Sequence, residues 1–222
     1  VIKTNNLCVS IGPVAILQDV SMQAAAGSVV GIVGHNGAGK TTLMRAITGL
    51  LPALSGQVLL SGTDVTRATP QQRVRLGLGY MPEDRRLIPD LSVRENIMLP
   101  MEVAGTAGAV DRLARVLDAI PELKPLILRK GNQLSGGQQK LAALARAMCY
   151  GDRMLLLDEP FEGVAPALIG RLTQVLMDLK STGPTILITD SEGAHLAGLC
   201  DARYEMERGS LRSAALEPAH GH

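Results

Sequence analysis

The run Ser28-Val29-Val30-Gly31-Ile32-Val33, followed at once by Gly34-His35-Asn36-Gly37-Ala38-Gly39-Lys40-Thr41-Thr42 and then by Leu43-Met44-Arg45-Ala46-Ile47, constrains this chain more than any other stretch. A short β-branched run bounded by glycines reads as a buried strand, and the apolar residues after Thr42 read as a helix. Strand, Gly-x-x-x-x-Gly-Lys-Thr and helix in that order form a phosphate-binding loop, the P-loop. Its chemistry follows from the backbone. Glycines let successive N–H groups face one point, and the helix N-terminus adds about half a positive charge there. Lys40 is placed to reach the β- and γ-phosphates, and the Thr41 hydroxyl to hold Mg²⁺. Gly34, His35, Asn36, Gly37, Ala38, Gly39, Lys40, Thr41 and Thr42 are therefore predicted to bind a nucleotide.

A second motif, Met154-Leu155-Leu156-Leu157-Asp158-Glu159-Pro160, is an apolar strand ending in two acids. Ligands of open α/β sheets gather outside the carboxyl ends of the strands. Asp158 can there hold the Mg²⁺ shell, and Glu159 can orient an attacking water or take its proton. Without the P-loop the same residues read as a helix cap before a proline. With it they predict ATP hydrolysis, with ATP and Mg²⁺ as cofactors and Lys40 and Glu159 as catalytic residues.

The remaining sequence narrows the setting. The chain has 222 residues, 46% of them hydrophobic, which suits one domain and not several large ones. With 22 basic against 21 acidic residues and one Phe and no Trp, it carries neither the charge nor the stacking platforms of a nucleic-acid binder. Cys8, Cys149 and Cys200 stand far apart in apolar surroundings and read as reduced core residues. No apolar run approaches the roughly 20 residues that span a bilayer, and no signal peptide precedes the first strand pattern, so any service to a membrane is peripheral. The terminal His220 and His222 read as part of a frayed tail.

Strands are predicted from Leu7 to Val33 (alternating Val20, Met22 and Ala24, then the run before the P-loop) and at 57–60, 78–81, 154–157 and 185–189. Thr69-Pro70-Gln71-Gln72 and Ser92-Val93-Arg94-Glu95 have capping-box spacing, and Pro166 to Gly183 brackets a helix with Leu168, Ile169, Leu172, Val175, Leu176 and Leu179 on one face. Strands alternating with helices give an α/β class. Residues 1–91 and 151–211 are read as the core and β region of a single 1–222 domain, 92–150 as a helical lobe, and 212–222 as a tail.

Leu134-Ser135-Gly136-Gly137-Gln138-Gln139-Lys140 taken alone is a well-capped helix start, with Ser135 and Gln138 at capping-box spacing. Together with the P-loop and Asp158-Glu159 it resembles the signature motif of the ABC ATPases, over about Leu7 to Leu211. The resemblance implies a P-loop NTPase fold of ABC type: a parallel-sheet core, an N-terminal antiparallel β region and an inserted helical lobe. It also implies a head-to-tail dimer with a second ABC ATPase subunit, identical or different. Ser135, Gly136, Gly137 and Gln138 would then face ATP held by the other subunit's P-loop, while the lobe from Glu83 to Gly131 docks transmembrane permease subunits at the cytoplasmic face of the inner membrane.

The segments Tyr80-Met81-Pro82-Glu83-Asp84-Arg85-Arg86 and Asp158 to Pro166 are similar to the ATPase subunits of branched-chain amino acid importers, as is the short C-terminus. Uptake of such amino acids is the implied function. The alternatives are an ATPase subunit of a lipid or lipopolysaccharide exporter, or a degenerate nucleotide-binding regulatory partner. Four positions depart from the family. Ile11 stands where an aromatic stacks on adenine, Glu83 where a Gln touches Mg²⁺, Ser191 where a His contacts the γ-phosphate, and Ala165 where an Asp follows the catalytic Glu. Glu83 is still expected to ligate Mg²⁺ beside Thr41 and Asp158. Ser191 reads as a plain helix cap, and as a reason for this chain's own site to be slow and for it to pair with a different ATPase. His195 reads as a packed helix residue.

Overall fold

Alternating apolar residues along two N-terminal strands, β1 (Ile2–Ile11) and β2 (Val14–Ala24), bury one face of an antiparallel hairpin. The computed structural model describes residues 1–84, 87–105 and 108–215, so Arg85, Arg86, His220 and His222 lie outside the described residues. β4 (Ser55–Leu60) pairs antiparallel with β1, and the short β5 (Thr63–Asp64) with β4, giving a four-stranded sheet in the order β2-β1-β4-β5.

The second sheet holds the runs that are apolar on both faces: β3 (Val29–Val33), β7 (Met154–Leu157) and β8 (Thr185–Asp190), whose residues are all buried. Strands covered on both sides have no polar face to show, which is why they read as continuous hydrophobic runs. With β6 (Leu78–Met81), β9 (Ala202–Glu207) and β10 (Ser210–Ala214) they form the order β10-β9-β3-β8-β7-β6. All pairings are parallel except β9 with β10. The chain leaves β3, returns at the far edge as β6 and fills inward to β8, then places β9 on the other side of β3. That reversal opens a crevice at the carboxyl end of β3, where such sheets hold ligands.

Helix α1 (Lys40–Thr48) starts in this crevice. Its carboxyl end is fixed by Arg73 of α2 (Pro70–Arg75), a residue only 2% exposed. The Arg73 guanidinium donates to the carbonyls of Ala46 and Ile47 at 2.8 and 2.7 Å, and to those of Thr66 and Ala68 at 3.2 Å each. Arg73→Met leaves these carbonyls without their cation and is expected to lower the unfolding free energy by roughly 2–4 kcal/mol, read by denaturant melts.

The helices α3 (Val93–Ala104), α4 (Ala109–Ala119) and α5 (Gly136–Tyr150) and two short 3₁₀ turns follow β6. Thr69, Ser92 and Ser135 each close a reciprocal capping box, which fixes where α2, α3 and α5 begin. One apolar cluster runs from α3, α4 and α5 through β7 and β8 to α6 (Pro166–Thr182). The four-stranded sheet, α1 and the opposite face of the parallel sheet share a second.

Three sequence expectations are corrected. β9 and β10 were not read from sequence at all, and β1 begins at Ile2 rather than near Leu7. Cys8 is not a core residue. It is half-buried on β1, with its thiol against Asp19 and the Asn6 carbonyl. Cys149 is buried, and Cys200 is half-buried like Cys8 but packs against the core; burial pushes their thiols up to about 11 and about 12 and leaves them unreactive.

Candidate functional site

Gly34 to Gly39 wrap the amino end of α1. Gly39 precedes the helix with φ at +116°, in the left-handed region that a side chain would strain. A Cβ on Gly34 would stand 2.3 Å from the Met206 carbonyl of β9, so only glycine lets the loop pass that close to the sheet. Ala38 turns its methyl into the core, and its carbonyl accepts from the Gly209 N–H at 2.9 Å.

Asn36, Gly37, Gly39, Lys40, Thr41 and Thr42 line a cavity of about 470 Å³ together with Ile16, Glu83 and Glu159. Gly34, His35 and Ser191 line a neighbouring cavity of about 970 Å³ that shares Asn36. Lys40 is 5% exposed and lies 3.0 Å from Glu159 Oε1. It also donates to the carbonyls of Gly34 and His35. The cation that sequence assigns to phosphates is therefore held by one carboxylate and its own loop.

Asp158 is fully buried at the end of β7. Burial pushes its carboxyl above the usual range, against hydrogen bonds from Thr189, Thr41 and Tyr80. The Thr189 hydroxyl donates at 2.9 Å and the Tyr80 hydroxyl at 3.3 Å. Glu83 sits above its ordinary range as well, first through burial and then through the charges of Glu162, Asp158, Glu159 and Asp84. The Thr41 hydroxyl and the Asp158 carboxylate are hard oxygen donors in hydrogen-bond contact, a donor set that fits Mg²⁺.

Glu159 is the most constrained residue of the site. Its φ is +47°, unusual for a side chain with a Cβ and worth about 1–3 kcal/mol of strain. Its N–H donates to Thr189 Oγ1 at 2.9 Å, and its carbonyl accepts from Lys140 Nζ at 2.9 Å. The carboxylate meets Lys40 and the Ser191 hydroxyl, the latter at 2.8 Å.

The family profile described as ABC transporter matches residues 17–162. The chain belongs to this family. It is 35% identical to the lipopolysaccharide export system ATP-binding protein LptB of Acidithiobacillus ferridurans, over 90% of this chain and 83% of that one. It is 38% identical to a probable ABC transporter ATP-binding protein of Azorhizobium caulinodans, over 92% of this chain and 73% of that one. Its fold superposes with a TM-score of 0.83 on the ADP conformation of MJ1267, an ATP-binding cassette of an ABC transporter, at 28% identity, covering 96% of this chain and 89% of that one. The protein is thus an ATP-hydrolysing subunit of an ABC transporter. The names of these relatives attach to lipopolysaccharide export or to no cargo, and not to the amino acid importers that two of its segments resemble.

Against this ABC frame the departures become concrete. Ile11, half exposed, ends β1 opposite Val14 and does not line the cavity of Lys40; Ile16 does. Ser191 caps no helix. The following 3₁₀ turn, Ala194–Leu196, is preceded by Gly193, while the Ser191 hydroxyl lies 2.8 Å from Glu159 Oε1 and 3.0 Å from Asn36 Oδ1. His195 packs its ring on Phe161 at 5.0 Å and approaches Asp190 at 3.3 Å. Ser135, Gly136, Gly137 and Gln138 begin α5 outside the cavity that holds Lys40. Sequence reasoning missed Thr189, Tyr80 and Lys140, which act through partners distant in the chain.

Proposed function

We propose that this ABC subunit binds ATP through Gly34 to Thr42, with Lys40 exchanging Glu159 for the β- and γ-phosphates. Thr41, Asp158 and Glu83 would hold Mg²⁺, which neutralises charge on the phosphates when bound. Glu159 acts as general base toward the attacking water, and the juxtaposition of its carboxylate with Lys40 at 3.0 Å is the observation that carries the reading. Ser135, Gly136, Gly137 and Gln138 serve the ATP of a second ABC ATPase subunit, where the N-terminus of α5 stabilises charge on the transferring phosphoryl group. The chain carries both halves of such a site, Lys40, Asp158 and Glu159 beside the signature Ser135 to Gln138, which favours a second copy of the chain over a different ATPase.

Among the described residues no helix is long and apolar enough to cross a membrane. A groove of about 190 Å³ lined by Arg45, Leu50, Tyr80, Pro82, Leu99, Pro100, Arg146 and Tyr150 lies where the helices meet the sheet, and a transmembrane permease subunit would dock there from the cytoplasmic side. For the cargo, the LptB likeness favours lipopolysaccharide or a related lipid, moved outward. Uptake of branched-chain amino acids is the second reading, carried by the segments around Glu83 and Glu159. Purification of the chain with its membrane partners, followed by ATPase assays, separates them. Stimulation by lipopolysaccharide supports export. Stimulation only by a leucine-loaded binding protein supports uptake.

A further inference from the structure

Lys140 is the largest fully buried side chain among the described residues and stands 1% exposed on α5, two residues beyond the capping box of Ser135 and Gln138. A buried ammonium is costly unless polar groups surround it. Its nitrogen donates to the carbonyls of Glu159 at 2.9 Å and Glu162 at 3.3 Å. These carbonyls bound a tight turn, in which the Glu162 N–H also donates to the Glu159 carbonyl at 3.2 Å. Glu159 is held at φ +47° and precedes Pro160, whose ring biases its neighbour toward extended backbone. A residue disfavoured twice over persists only where its surroundings fix it. Thr189 fixes the N–H side and Lys140 the carbonyl side.

We infer that Lys140 is a positioning residue for hydrolysis, holding the Glu159 peptide in its left-handed conformation so that the carboxylate faces Lys40 and Ser191. The inference rests on Glu159 being the general base. It ties α5, whose N-terminus serves the second subunit's nucleotide, to the base of its own chain. A shift of α5 is therefore felt at Glu159 without any contact between α5 and the bound ATP of the same chain.

The test measures kcat and Mg²⁺-ATP affinity of the full-length chain for Lys140→Gln, Lys140→Arg and Glu159→Gln beside wild type. Misplacing a catalytic group by about 1 Å costs on the order of 100-fold, so Lys140→Gln is expected to lose roughly 10- to 100-fold in kcat, with ATP affinity within about threefold. Lys140→Arg keeps the charge but cannot place its nitrogens as Lys140 does, and falls between the two. A merely structural lysine gives a different pattern in the folded variant: kcat unchanged, or kcat and affinity lowered together. Either pattern overturns the inference. If only Lys140→Arg can be purified, a three- to tenfold lower kcat at unchanged affinity supports it, and a wild-type kcat overturns it. Glu159→Gln hydrolysing like wild type would instead remove the base on which the inference stands, and so overturn both.

Discussion

Lys40→Ala is expected to abolish ATP binding and also to unfold the chain more readily than Glu159→Gln does. The reason is an asymmetry in the pair. Lys40 has three partners, the Glu159 carboxylate and the carbonyls of Gly34 and His35, so it keeps two when Glu159 becomes neutral. Glu159 keeps only the Ser191 hydroxyl on its carboxylate when Lys40 is removed. Both side chains are about 95% buried, so the orphaned carboxylate gains little from water. Removing one member of a buried ion pair costs roughly 3–5 kcal/mol. Melts without nucleotide should show a loss of that size for Lys40→Ala and a clearly smaller one for Glu159→Gln. Equal losses would mean that the loop carbonyls do not support Lys40.

Glu159→Gln is expected to separate binding from chemistry. The amide still fits beside Lys40 and Ser191, so ATP affinity is retained, but it cannot take a proton from water. General-base catalysis contributes about 10²- to 10⁴-fold, and single-turnover hydrolysis should slow by that factor while ATP still protects the chain in a melt. A variant that lost affinity and rate together would place Glu159 among the binding groups.

What the sequence made legible was local. The P-loop, the acids after β7 and the capping boxes at Thr69, Ser92 and Ser135 are each written in a few consecutive residues. Those residues announce their motif within one short window, although Glu159 needs Thr189 and Lys140 to hold its backbone. The strands β3, β7 and β8 were legible because burial on both faces leaves only apolar residues. β9 failed the same reading: Arg203, Glu205 and Glu207 alternate along a half-buried strand, and its turn at Arg208 and Gly209 looks like any polar loop. The hairpin register set by β1 and β2 decides that Ile16 rather than Ile11 lines the cavity, and pairing register is not written in either strand alone. Ser191, Thr189 and Lys140 matter through bonds to Glu159 from 19 to 32 residues away, a distance that no local pattern spans. The likeness to amino acid importers rests on two short segments and the short C-terminus, and similarity over 90% of the chain weighs differently.

The central claim is that each ATP site is completed by the signature helix of a second subunit. It is tested by mixing two inactive variants, Lys40→Ala, which lacks a working P-loop, and Ser135→Arg, which blocks the start of α5. Mixed dimers contain one site with an intact P-loop from one chain and an intact signature from the other. The account predicts that Mg²⁺-ATP hydrolysis, absent from each variant alone, returns on mixing and disappears again when Glu159→Gln is added to the Ser135→Arg chain. A mixture that stays inactive under conditions where the wild-type chain turns over would contradict it.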